Sequence, residues 1–133
     1  MFFLDTNACI RILNGTCLPL VERLRSVSSS EVGLPSVVKA ELLFGARKSA
    51  RVAENLLLLE RFFTPLRSIA FDDRCAEYYG MIRADLEQRG EPIGPNDLMI
   101  AASARAHDAT LVTHDIAEFR RVVGLRVEDW EVV

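Results

Sequence analysis

The sequence predicts an α/β layer fold with a mostly parallel sheet. Short apolar runs alternate with helical periodicity along the whole chain, and the helices carry recognisable start and stop residues. The size suits one ordinary core: 133 residues with 50% hydrophobic and 26% charged side chains can bury a sizeable interior. A single domain over 1–133 is expected.

Phe2-Phe3-Leu4 is the first strand, followed by a helix-like stretch from Asp5 through Leu13 that Asn14-Gly15 ends. Leu20, Val21, Leu24 and Val27 recur at helical spacing within 18–27, and Ser28-Ser29-Ser30 closes that helix. Val32 to Pro35 is a brief strand, after which Ser36 can cap a helix to about Lys48. A helix over about 50–63 stops before Thr64-Pro65, where proline disfavours helical geometry in its predecessor. Leu66 to Phe71 returns to strand. Asp72 or Asp73 can cap a long helix to about Arg89, with Gly90 at its end. The loop 91–95 leads to Asn96, a cap for an alanine-rich helix over 97–106. Thr110 to Thr113 and Leu125 to Val127 supply the last two strands.

Composition removes several function classes. No apolar run approaches the roughly 20 residues of a membrane helix, and an acid at position 5 without a preceding basic segment is not expected of a secretory signal. A cytoplasmic protein is expected. Cys9, Cys17 and Cys75 form no CxxC pair and read as reduced thiols; with only His107 and His114 besides, a Cys/His zinc site is not expected. The net charge of -3 gives no overall basic field, although all basic residues but Lys39 and Lys48 are arginine, whose planar fork suits phosphate. No Ser/His/Asp or Cys/His pairing and no Gly-rich phosphate loop is apparent.

Acidic residues carry the functional signal. Ligands of open α/β sheets bind outside the carboxyl ends of the strands, and Asp5 and Asp115 follow two predicted strands. Asp also caps helices, so each residue alone has an ordinary structural reading. Glu41 shares a helical arc with Val37, Val38, Phe44 and Gly45, an apolar face on which a carboxylate is costly unless paired or bound to a metal. Asp97 opens the alanine-rich helix, where the helix dipole also favours it. Together, Asp5, Glu41, Asp97 and Asp115 would repel unless a cation neutralised them. Ligation by oxygen alone suits Mg²⁺ or Mn²⁺, and the chemistry that follows is metal-assisted phosphodiester hydrolysis.

The stretches Leu4-Asp5-Thr6-Asn7, Ala40 to Ala46, Ile93 to Ala102 and Leu111 to Asp115 resemble the four signature segments of PIN-domain ribonucleases, and more narrowly the VapC toxins of type II toxin-antitoxin modules. The resemblance spans nearly the whole chain. It implies a three-layer α/β/α sandwich with a mostly parallel sheet and an endoribonuclease activity dependent on Mg²⁺ or Mn²⁺. It assigns Asp5, Glu41, Asp97 and Asp115 as catalytic and metal-binding acids, leaving open whether Asp115 or Glu118 completes the set. Thr6, Asn7, Asn96 and Thr113 align with polar positions around the acids. The implied partners are an RNA substrate, a cognate antitoxin whose tail enters the groove beside the active site, and a second copy of the chain. Arg11, Arg47 and Arg51 are candidate RNA contacts, and Leu20, Val21, Leu24, Leu56, Leu57 and Phe63 are candidate contacts for protein partners. Two other readings compete. A PIN-like module that binds RNA or protein without cutting shares every residue, whereas a phosphoacceptor signalling domain would need an acidic pair after the first strand and a lysine after a late one.

Overall fold

The computed structural model describes residues 1–132. Five parallel strands, β1 (Phe2–Leu4), β2 (Val32–Pro35), β3 (Arg67–Ile69), β4 (Thr110–Val112) and β5 (Arg126–Glu128), lie in the order β3-β2-β1-β4-β5. Among the described residues there are seven α-helices: α1 (Thr6–Asn14), α2 (Leu18–Ser26), α3 (Ser36–Lys48), α4 (Val52–Phe63), α5 (Asp73–Gln88), α6 (Pro95–Ala106) and α7 (Ile116–Phe119). From β1 the chain steps outward through β2 to β3, then crosses back to β4 and β5. Right-handed crossovers therefore put α1 to α4 on one face of the sheet and α5 to α7 on the other. The expected three-layer sandwich is the fold observed.

Strands covered on both faces carry continuous apolar runs. Phe3, Leu4, Val32, Leu34, Leu111 and Val112 are all buried, and Phe3 of β1 pairs with Gly33 of β2 on one side and Leu111 of β4 on the other. Gly33 is required there, because a Cβ would stand 2.8 Å from the Phe3 ring and 3.0 Å from Ile69. Behind the sheet α6 is the most deeply set helix: Ala101, Ala102 and Ala104 are buried and small enough to bring its backbone against the strands. Enlarging one would overpack that contact at about 1–3 kcal/mol.

Several boundaries differ from the sequence reading for local reasons. Ser36 and Asn96 are not caps. Pro35 and Gly94 occupy those positions without a side-chain hydrogen bond, and Pro95 starts α6 one residue before Asn96, since proline fits a first helical turn that needs no N–H. Asp72 does cap α5, accepting from Cys75 N–H at 3.1 Å. Gly15 ends α1 at φ 64°, its N–H returning to carbonyls of Arg11 and Ile12. The 3-10 turn Ser29–Glu31 and the four-residue α7 were absent from the sequence reading, both being too short for periodicity to register. Cys9, Cys17 and Cys75 are free thiols.

Candidate active site

The order β3-β2-β1-β4-β5 reverses direction between β1 and β4, the place where open α/β sheets form their binding crevice. Asp5 and Asp115 flank it. The Asp5 N–H donates to Val112 O at 3.2 Å, prolonging the β1–β4 ladder by one rung, and the Asp5 carboxylate caps α1 by accepting from Ala8 N–H at 2.8 Å. Asp115 caps α7, accepting from Glu118 N–H at 3.4 Å. Both acids thus carry the capping role that sequence offered as their ordinary reading. That role engages the carboxylates only in part, since each has two oxygens.

Thr113 lies between these acids, fully buried, and its Oγ1 accepts from Asp115 N–H at 2.9 Å. Burial pushes the Asp5 carboxyl up to about 6; the Thr113 hydroxyl and Ala8 N–H pull it back, and the charges of Asp97 and Glu131 push it further. The third acid, Asp97, sits in the first turn of α6. Desolvation raises its pKa, a hydrogen bond from Glu118 opposes the rise, and the charges of Glu41 and Asp115 add to it. Glu118, on α7, is pushed up to about 7 by burial, by its side-chain hydrogen bond to Asp115 and by Asp97, while Gly94 N–H, donating at 3.3 Å, draws it down. Asp97 is accordingly the hub, within electrostatic reach of Asp5, Glu41, Asp115 and Glu118.

Glu41 reaches the group from the other layer. It does not face the core as its apolar arc suggested: Phe44 is 66% exposed, and the buried stripe of α3 runs instead through Val38, Leu42 and Ala46. Glu41 lines the mouth of a groove of about 320 Å³ that Ile10, Leu13, Leu42, Leu58 and Leu59 also border. Thr6 Oγ1 donates to its Oε1 at 2.5 Å. Thr6, Thr113 and Glu118 therefore hold the acids, whereas Asn7 and Asn96 are exposed and make no side-chain hydrogen bond among the described residues. None of these five acids takes part in an ion pair among the described residues. Lys39 donates to Ser68 and Lys48 lies over the Phe44 ring, so neither supplies the lysine a phosphoacceptor domain would place among its acids.

A second polar group, which the sequence reading missed, lies beside the first. Among the described residues, the set of three metal-ligating side chains whose donor atoms stand within 4.8 Å of one another is His114, Asp129 and Glu131, not any three of the acids above. Asp129 and Glu131 follow β5 as Asp115 follows β4, so the strand-end rule that selected Asp115 also points to them. Glu131 pairs with Arg11, and Arg51 bonds Glu54, which engages two of the candidate RNA contacts.

A family model described as the PIN domain matches residues 2–125. The chain belongs to the PIN-domain family. This PIN domain is 39% identical over 132 residues to Ribonuclease VapC2 of Rickettsia felis, covering 98% of each chain. To the tRNA(fMet)-specific endonuclease VapC of Salmonella typhimurium it is 37% identical, covering 97% of each. Among solved structures, the Rickettsia felis VapBC2 bound to a DNA fragment from its promoter superposes with TM-score 0.91 at 38% identity, covering 97% of this PIN domain and 98% of that chain. The four segments that suggested the family contain Asp5, Glu41, Asp97 and Asp115, and the fold gathers them at one edge of the sheet.

Proposed function

We propose that this PIN domain is a divalent-metal-dependent endoribonuclease, the toxin of a toxin-antitoxin module. The observation that carries the reading is the unneutralised group of carboxylates around Asp97, in which burial, and after it mutual repulsion, raises Asp5, Asp97 and Glu118 together. Such a group fits a hard cation: the donors are all carboxylate oxygens and no cationic side chain competes for them. Asp5, Glu41, Asp97 and Asp115 would hold Mg²⁺ or Mn²⁺, with Glu118 bonded to Asp97 and Asp115. When bound, the ion supplies Lewis-acid polarisation of a phosphodiester and a water acidified for attack.

The protein's own contribution is positioning. Ala8 N–H and Thr113 hold the Asp5 carboxylate, Thr6 holds Glu41, and Glu118, its pKa raised, stands beside Asp97 and Asp115. The full-length likeness to ribonucleases and to a tRNA-specific endonuclease supports RNA as the substrate.

The apolar groove beside Glu41 supports an antitoxin segment as the partner on that face, in keeping with the likeness to a VapBC assembly. The exposed apolar residues available to a partner share only Leu57 with those picked from periodicity. Leu20 is buried and Leu24, Leu56 and Phe63 pack on the core, while Ile10, Leu13, Leu43, Phe44, Leu57 and Leu58 are exposed. A homodimer is part of the same reading, and light scattering that finds only monomer counts against it.

The deciding experiment is cleavage of a structured RNA by wild type and by Asp97→Asn with Mg²⁺, Mn²⁺ or EDTA. Asn keeps the size but loses an anionic oxygen, so cleavage should fall at least about 100-fold, the scale of several kcal/mol of metal-borne stabilisation. The melting temperature should hold or rise, because a repelling charge has gone. Full cleavage in EDTA, or by the variant, overturns the proposal.

A further inference from the structure

We infer that His114, Asp129 and Glu131 form a second cation site, distinct from the acids around Asp97, which takes Zn²⁺ or a similar borderline divalent ion through one imidazole nitrogen and two carboxylate oxygens. Neighbouring strands bring the three together. Thr113 N–H donates to Glu128 O at 3.0 Å, continuing the β4–β5 ladder, and the next residues, His114 and Asp129, meet just beyond it.

The donor atoms are placed for a shared ion. His114 Nδ1 is 3.0 Å from Asp129 Oδ2 and 3.8 Å from Glu131 Oε2, and all three lie within 4.8 Å of one another. Ligands about 2.0–2.1 Å from a tetrahedral zinc ion stand about 3.4 Å apart, so small adjustments would close the set. Each carboxylate, moreover, has one oxygen anchored elsewhere and the other turned to the imidazole. Asp129 Oδ1 accepts from Glu131 N–H at 2.9 Å, and Glu131 Oε1 accepts from Arg11. Outer partners of this kind orient metal ligands and set their basicity.

The segment is also packed in place. Between the two acids, Trp130 is buried, packs edge-on against Phe2 with ring centres 5.1 Å apart, and donates through Nε1 to Glu128 at 3.0 Å. The Asp129 and Glu131 side chains are only 16% and 11% exposed, whereas His114 is 55% exposed and opens the site to solvent. A mixed nitrogen and oxygen set with an open fourth position suits Zn²⁺ or Co²⁺ better than Mg²⁺, which sets it apart from the acids around Asp97. The competing account is a protonated His114 paired with Asp129 and no ion at all.

The test titrates Zn²⁺, and in parallel Co²⁺, into the metal-stripped full chain. The tryptophan fluorescence of Trp130, the single tryptophan, reports binding next to two ligands, and the visible absorption of Co²⁺ reports its coordination. A saturable change in Trp130 fluorescence is expected in wild type and is retained in Asp97→Asn, with the binding it reports at least tenfold weaker in His114→Ala and in Asp129→Asn. His114 is exposed and the Asn amide oxygen can still accept from Glu131 N–H, so both variants should fold, which circular dichroism checks. The inference is overturned if wild type shows no saturable binding, if His114→Ala binds as tightly as wild type, or if binding is lost only in Asp97→Asn. None of these outcomes depends on RNA cleavage, so the site stands or falls apart from the nuclease reading.

Discussion

Two groups of carboxylates share the carboxyl edge of this sheet, and they are stabilised in opposite ways. Around Asp97, five acids approach one another with hydrogen-bond donors but no cationic side chain, and burial plus repulsion raises Asp5, Asp97 and Glu118. One strand further along, Asp129 and Glu131 each meet a basic side chain, His114 and Arg11 respectively. The first group stores unfavourable electrostatic energy that an external cation would release, whereas in the second Arg11 already neutralises Glu131 and an imidazole nitrogen faces Asp129. Placing acids after strands is thus not enough to define a hard-cation site; what matters is whether the fold also brings a base to them.

That contrast links stability and pH mainly through the first group. The Asp5 carboxyl binds its proton more tightly in the folded chain, at about 6, than when unfolded, near 4. Its contribution is therefore fully present below about pH 4 and is lost as pH rises to about 6, amounting to up to about 3 kcal/mol. Glu118, raised to about 7, extends the trend toward neutrality. Urea unfolding of metal-free protein over this range should show the decline, and Asp5→Asn should flatten much of it. Added Mg²⁺ should restore stability at neutral pH by binding the ionised acids. An unchanged profile in Asp5→Asn would break the comparison.

Thr113→Val gives the next largest effect. The substitution keeps the shape but removes the acceptor for Asp115 N–H and the hydroxyl that draws Asp5 down. A loss of about 1–3 kcal/mol is expected from removing the polar contacts of a buried hydroxyl, read as a lower urea midpoint with an unchanged slope. The Asp5 transition should also move to higher pH.

Arg11→Ala should have the smallest effect and the sign opposite to Asp97→Asn. The Arg11–Glu131 pair is part-exposed on the arginine side, so its loss should lower stability by up to about 1 kcal/mol, less in high salt. Thermal melts of the two variants side by side at low and high salt sharpen the comparison: one removes a repelling charge, the other a balancing one.

Much of the fold could be read along the chain. β1, α1, α2, β2, α3 and α5 depend on apolar periodicity and on local signals such as Gly15 and Asp72, which act within a turn of themselves. The two short helical turns could not be read, because three or four residues carry no period and tertiary position decides their form. Within the acidic group, Thr6, Thr113 and Glu118 stand where the motifs suggested, while Asn7 and Asn96 point to solvent. That division depends on which way each helix is rotated on the sheet.

Sequence by itself determined the alternation of strand and helix, the burial of Phe3, Leu34 and Leu111, and the candidacy of acids after strands, because period and apolarity are local properties of the chain. Tertiary structure alone decided that Asp97, 92 positions after Asp5, reaches it across the switch point, and that Phe44 lies exposed on the surface instead of in the core. It also decided that Glu131 meets Arg11, a contact spanning 120 residues. Such contacts follow from strand order and helix rotation, which are set by packing the whole core at once and leave no mark on the residues taken singly.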